Sequence, residues 1–276
     1  MIVDLASPPA PVAHATVRDG AAIAYRLIPG GGPARFALVH SLAMDHRFWG
    51  PVAARLAAAG DVLLIDCRGH GASDQTGAPF TVEQFADDLA DVMTAVGWDS
   101  AIVAGASMGG CIALAFAAAH PARTRALGLV DTTAWYGEKA PEQWEERAQK
   151  ALDGGLEALV GFQKSRWFSE GFATANPDVV ENAVKVFLAN DVSSYAETCR
   201  MLGRANTIAA LAGFAMPTRI MVGSEDYATP PAMAEAMRAA IPGAMLEVLD
   251  GAAHLTPLER VDDVARLLLS LAETAA

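Results

Sequence analysis

Residues 100–119 read Ser-Ala-Ile-Val-Ala-Gly-Ala-Ser-Met-Gly-Gly-Cys-Ile-Ala-Leu-Ala-Phe-Ala-Ala-Ala. The opening run, through Ala104, is short and apolar and has strand character. The closing run, from Gly110, is made mostly of good helix formers. Between them Gly105-Ala106-Ser107-Met108-Gly109 fits Gly-x-Ser-x-Gly, where a serine sits at the tip of a strained strand-to-helix turn. The turn needs small residues on both sides of the serine, because a Cβ there would strike the neighbouring strand or helix. It pushes Oγ into the open, with the first helix amides beneath it. The pattern predicts that two partner residues lie elsewhere in the chain.

Outward from this turn the same rhythm recurs. Apolar runs at 36–40, 62–66, 101–104 and 126–131 alternate with helical patterns at 49–59, 81–96 and 108–120. Continuously apolar strands alternating with helices predict a parallel sheet covered on both faces. Upstream, residues 14–18 and 21–26 flank Asp19-Gly20 and read as a hairpin. Residues 1–12, rich in Pro and Ala, read as a loose end. From about 133 to 212 the segments are amphipathic and helical, with no convincing strand and with Trp135, Trp144, Phe162, Trp167 and Phe168 among charges. The strand–helix rhythm returns with the strand 218–222, the helix 231–240, the strand 245–249 and a last helix near 261–274. A helical block that interrupts such a sheet reads as an inserted lid.

The bulk properties narrow the function. The chain has 276 residues, enough for one large core. It is 53% hydrophobic and 19% charged, as a packed globular protein is. A net charge of −12 argues against nucleic acid or an anionic membrane as partner. Cys67, Cys111 and Cys199 have no metal or CxxC spacing and suit a reduced, cytoplasmic setting as small packing residues. The first residues lack the basic and apolar regions of a signal peptide.

A serine nucleophile needs a base beside it, usually His, oriented in turn by a carboxylate. With this kind of turn the chain order is Ser, then Asp or Glu, then His. Downstream of Ser107 stand two histidines, His120 and His254. His120 ends the helix that Ser107 begins, roughly 20 Å away at 1.5 Å per residue. His254 lies in the loop after the strand 245–249, where parallel sheets gather catalytic groups, and is the expected base. Asp226, in the loop after the strand 218–222, is the expected acid, and Asp131 the alternative. Two amides must hold the oxyanion: Met108 N–H, after the nucleophile, and Leu42 N–H, in the loop after His40.

Residues 36–48, Asp66-Cys67-Arg68-Gly69-His70-Gly71-Ala72-Ser73-Asp74, the serine turn, 223–231 and 252–255 together resemble the α/β-hydrolase superfamily. Within it the chain is similar to the 3-oxoadipate enol-lactonases over nearly its whole length, including 144–147 and 166–172 in the lid. The resemblance implies an α/β-hydrolase fold: a mostly parallel eight-stranded sheet flanked by helices, with a helical cap after strand 6. The core would comprise 1–132 and 213–276, and the cap 133–212. Ala43 stands where the family usually has Gly, and His40 where it often has Asn or Ser. His70 reads as part of a shared structural turn.

The implied activity is that of a carboxylic ester or lactone hydrolase working through an acyl-enzyme, with no metal or organic cofactor and a small molecule as its partner. If the substrate is an enol-lactone with a free carboxylate, a cation must meet it, and Arg166 is the candidate. Trp135 and Trp144 are further candidates for the pocket wall. The same triad would serve amide, carbon–carbon or peracid chemistry, and a non-catalytic receptor on this fold is a third reading. Dehalogenase and epoxide hydrolase readings require Asp where Ser107 stands. The lid would serve as a homo-oligomer surface as readily as a substrate cover.

Overall fold

A computed structural model describes residues 11–76 and 78–274. The first ten residues of the Pro- and Ala-rich segment lie outside them. The described chain forms an eight-stranded sheet. The strands are β1 (Ala13–Thr16), β2 (Ala22–Ile28), β3 (Ala34–Val39), β4 (Gly60–Ile65), β5 (Ala101–Ala106), β6 (Thr124–Val130), β7 (Thr218–Gly223) and β8 (Met245–Leu249). Their spatial order is β1-β2-β4-β3-β5-β6-β7-β8. β1 and β2 pair antiparallel, β2 joins β4 antiparallel, and every later pairing is parallel. The hairpin turn is wider than two residues, for Val17 N–H donates to Ala21 C=O.

The helices of the first half are α1 (Gly50–Leu56), α2 (Val82–Ala95) and α3 (Met108–Ala119). Between β6 and β7 come α4 (Ala140–Gly154), α5 (Val160–Trp167), α6 (Glu170–Ala175), α7 (Pro177–Leu188), α8 (Val192–Arg204) and α9 (Ile208–Leu211). The chain closes with α10 (Pro231–Ala240), α11 (Thr256–Glu259) and α12 (Val261–Thr274). All six residues of β5 are buried. The strand lies between α3, which also packs on β3 and β6, and α12, which also packs on β6 and β7. This two-sided cover is why its sequence is apolar throughout rather than alternating.

The strand order decides where a site forms. From β3 the chain steps to β4 on one side, then crosses back to β5 on the other. Val39 of β3 is therefore level with Gly105 of β5. The loops leaving these two strands diverge and open a crevice at the carboxyl edge of the sheet. One carries residues 40–45; the other is the serine turn.

Candidate functional site

Ser107 sits between β5 and α3 with φ +53° and ψ −118°, a left-handed conformation that costs a non-glycine residue about 1–3 kcal/mol. Its neighbours hold it there. Ser107 N–H donates to Val130 C=O at 3.0 Å, and Ser107 C=O accepts from Gly110 N–H, Cys111 N–H and Thr132 Oγ. A Cβ on Gly105 would run into the Gly109 carbonyl, and one on Gly109 into the Val39 carbonyl. Both flanking glycines are thus imposed by close approach, as the sequence pattern requires.

Ser107 Oγ lies 2.9 Å from His254 Nε2. His254 Nδ1 lies 2.8 and 3.0 Å from the two carboxylate oxygens of Asp226. Because Asp226 can only accept, Nδ1 carries the proton and the Nε2 lone pair faces the serine hydroxyl. Asp226 is itself fixed: Oδ1 accepts from the Ala228 and Thr229 amides, and Oδ2 from Thr229 Oγ1. All three residues are buried. The arrangement can move the Ser107 proton onto His254 and steady the imidazolium that results.

The alternative acid, Asp131, does something else. One of its oxygens accepts from Gly223 N–H and the other from the amide and hydroxyl of Thr256. It ties the end of β6 to β7 and to the segment after His254, and Asp226 makes the hydrogen bond to the imidazole. His120, at the far end of α3, meets Asp87 instead.

Residues 34–261 match the alpha/beta hydrolase fold family. The chain belongs to this family. The 3-oxoadipate enol-lactonase 1 of Acinetobacter baylyi is 31% identical over 248 residues, which are 89% of this chain and 91% of that protein. The solved enol-lactonase from Burkholderia xenovorans LB400 superposes with a TM-score of 0.89 at 32% identity, covering 94% of this chain and 99% of its own. A thermophilic esterase from Thermogutta terrifontis, solved with malate bound, has a TM-score of 0.89 at 26% identity, covering 96% of this chain and 99% of its own. These similarities support hydrolytic activity of this α/β hydrolase.

Above the serine lies a cavity of about 470 Å³. Its floor includes Ser41, Leu42, Ser107 and His254 from the sheet edge, and α4 and α5 supply most of its walls. Of the residues expected to line it, Trp144 and Arg166 do. Trp135 does not; Tyr136 takes the place expected of it. The backbone here is extended: Trp135 forms an antiparallel bridge with Asn206, and Thr207 N–H donates to Ala134 C=O. Along extended backbone successive side chains point to opposite sides, so a one-residue difference changes which ring meets the cavity.

Arg166 sits at the exposed side of this cavity. Its guanidinium lies 3.7 Å from the Phe162 ring centroid and 4.8 Å from that of Tyr227. Arg147 is the cation that the sequence reading missed. It is half-buried on α4, donates to Tyr195 Oη at 2.7 Å, and lies 5.0 Å from the Trp144 ring centroid. No carboxylate among the described residues pairs with it. Lys150 and one carboxylate, Glu146, line the cavity too.

His40 also does more than its sequence position suggested. Its Nε2 accepts from Cys67 N–H at 2.9 Å, so its Nδ1 carries the proton and donates to Ser41 C=O at 2.8 Å. Burial pushes its pKa below the ordinary histidine value, which keeps it neutral and in this tautomer. It thereby braces the loop that presents Leu42. Within that loop Ala43 has φ +57°, the left-handed conformation for which glycine is better suited. His70 donates to Arg68 C=O, and burial lowers its pKa to about 3. Those contacts place it in the turn following β4, outside the cavity lining.

Burial works differently on the Ser107–His254–Asp226 group. It disfavours the charge of His254, but the carboxylate of Asp226, through charge and hydrogen bond, outweighs this and raises the pKa above 6.5. Burial likewise opposes charge on Asp226, and the facing imidazole with the Thr229 contacts holds its pKa below 3.8. Asp131 shifts the other way. Burial, then the charge of Asp226, push it well above the ordinary carboxylate range. In the metal-capable group Asp45, His46 and Asp66, Arg47 meets Asp45 and His46 Nδ1 meets Asp66, while the buried His46 Nε2 has no hydrogen-bond partner among the described residues. Cys67, Cys111 and Cys199 are free and buried. Among the described residues no helix is long and apolar enough to cross a membrane.

Proposed function

We propose that this protein is a serine hydrolase that opens small carboxylic esters or lactones carrying a free carboxylate. The observation that carries the reading is the hydrogen-bonded line Ser107–His254–Asp226 beneath a cavity whose cap wall presents Arg147. His254 Nε2 takes the Ser107 proton as Oγ adds to the substrate carbonyl. The oxyanion is received by the amides of Leu42 and Met108; Met108 is the first residue of α3, where an amide has no intrahelical partner. The C–O bond to the leaving alkoxide or enolate then breaks, with His254 returning the proton. In a lactone both fragments stay joined as one acyl-enzyme. Water, deprotonated by the same imidazole, adds to the acyl carbon and releases Ser107.

The substrate class follows from the cap. A carboxylate suits a guanidinium bidentately, and in a partly desolvated cavity such a pair is stronger than at a surface. Among the described residues no carboxylate pairs with Arg147, and Tyr195 and Trp144 hold it in place. Arg166, stacked at the cavity's exposed side, meets the substrate on entry. The enol-lactonases, and an esterase solved with a dicarboxylate bound, support the same class.

The reaction is tested by stopped-flow hydrolysis of p-nitrophenyl acetate. The wild type should release a burst of p-nitrophenol and carry an acetyl group on Ser107 in the quenched digest. Ser107→Ala should lose the burst and about a millionfold in kcat, as loss of a triad nucleophile does elsewhere. Equal turnover by the two proteins would overturn the reading.

A further inference from the structure

Two residues of the chain flank His254, and both are hydrogen-bonded toward the cap. Leu255 N–H donates to Trp167 C=O, the last carbonyl of α5, at 2.9 Å. Ala253 N–H donates to Glu259 Oε2 at 3.2 Å. The same Oε2 accepts from Ser169 N–H at 3.2 Å, and Oε1 accepts from Ser169 Oγ at 2.5 Å. Ser169 belongs to the cap, where its hydroxyl also caps α6. Glu259 closes α11, the short turn that follows His254. One half-buried carboxylate therefore joins the backbone before the base to the cap with three hydrogen bonds, all of the stronger, charge-assisted kind.

We propose that Glu259 is a positioning residue that latches the His254 loop to the cap, so that alignment of the base on Ser107 depends on the cap. The proposal rests on the serine-hydrolase reading. The rest of the His254 loop is stitched to the sheet: Glu225 N–H donates to Ala252 C=O, and Thr256 meets Asp131. The Leu255 amide is instead held by the cap directly, and the Ala253 amide by Glu259, which is itself bonded to the cap. The helix that receives one of them, α5, also supplies Phe162, Gln163 and Trp167 to the cavity wall. A substrate that fills the cavity thus presses on the element that holds the base. The consequence for rate is large, because a misplacement of about 1 Å can cost about a hundredfold.

The test uses the full chain and an uncharged methylphosphonofluoridate ester, which phosphonylates Ser107 only with His254 acting as base and is too small to need Arg147. Labelling rate, p-nitrophenyl acetate kcat and KM, and melting temperature are measured for wild type, Glu259→Ala, Glu259→Gln and Ser169→Ala. Glu259→Ala should lower labelling rate and kcat together by about 10- to 100-fold, with KM nearly unchanged. Glu259→Gln keeps an acceptor for the amides and an NH2 for Ser169 Oγ, and should recover most of the loss. Ser169→Ala, a cap substitution remote from the reacting atoms, should lower labelling by a smaller factor. Labelling at the wild-type rate in folded Glu259→Ala overturns the latch while leaving the hydrolase reading intact. A Glu259→Gln as slow as Glu259→Ala also overturns it, since charge rather than position would then be at work. If Glu259→Ala does not fold, Ser169→Ala decides alone, and a wild-type rate in it refutes the proposal. A wild type that is not labelled on Ser107 removes the hydrolase reading, and the latch with it.

Discussion

The sheet edge and the helices above it solve different problems. At the sheet edge every group is fixed by backbone strain, close packing or hydrogen bonds to backbone and neighbouring side chains. Ser107 is fixed by strain and by close-packed glycines, Asp226 by two amides, and the Leu42 loop by His40. Above it, in α4 and α5, Arg147, Trp144, Phe162 and Arg166 meet the cavity through long side chains stacked on one another. The lower region supplies a reaction that needs fixed distances. The upper one supplies a shape and a charge through side chains that can vary without disturbing the distances below, apart from the Trp167 and Ser169 contacts that reach the His254 loop. If that division holds, substitutions below should abolish turnover of all substrates, and substitutions of the cavity-lining side chains above should change which substrate is preferred.

The largest effect expected is at Asp226. Asp226→Asn should cost about ten-thousandfold in kcat, through loss of the correct histidine tautomer. It should do so equally for substrates with and without a carboxylate. Asp131→Asn should cost far less, because Asp131 makes no hydrogen bond to the imidazole and Asn keeps an oxygen for one of its two amide partners. A larger loss at Asp131 would exchange their roles. Next comes pH. The base must be neutral to act, and Asp226 raises the His254 pKa, so the acid limb of kcat/KM should lie above 6.5. Below that limb the rate should fall about tenfold per pH unit, for any substrate. A limb below 6.5 would mean that burial, not Asp226, dominates. The smallest effect concerns Ala43, a non-glycine residue at positive φ. Ala43→Gly should shift urea stability by under about 1 kcal/mol, because relieved left-handed strain offsets lost chain order. Ala43→Val should lose about 1–3 kcal/mol, the cost of a branched residue at positive φ. Equal midpoints for the two would mean that the loop is not held at φ +57°.

The same division explains what could be read from the sequence. Ser107, Asp226 and His254 were legible because each lies in the turn or loop after a strand readable in the sequence, and the sheet brings strand ends together whatever the side chains beyond. The place of Leu42 beside Ser107 in the cavity lining was legible for the same reason. Arg147 was not. It stands in Trp144-Glu145-Glu146-Arg147, on a helix whose mean character is polar, and reads as a solvated charge. Only the packing of α4 on α8, which sets Arg147 against Tyr195, turns it inward. Tyr136 was missed in favour of Trp135 by one residue of extended register, and no composition signal fixes such a register. Glu259 reads as an ordinary acidic residue near a helix start, and its partners Ala253 and Ser169 come together only in the folded chain. His40 stands next to the loop expected to hold the oxyanion, but its tautomer and both partners are tertiary facts.

The division between reaction and selection is tested most directly by kcat/KM for one pair of substrates, a lactone or aryl ester carrying a free carboxylate and its methyl ester. Both are measured with wild type and Arg147→Met. The wild type should prefer the carboxylate. Arg147→Met should lose about 10- to 100-fold on it, the worth of about 1.5–3 kcal/mol of charged hydrogen bonding. Its rate on the methyl ester should stay near that of the wild type. Indifference of the wild type to the carboxylate, or an equal fall on both substrates, would contradict the account.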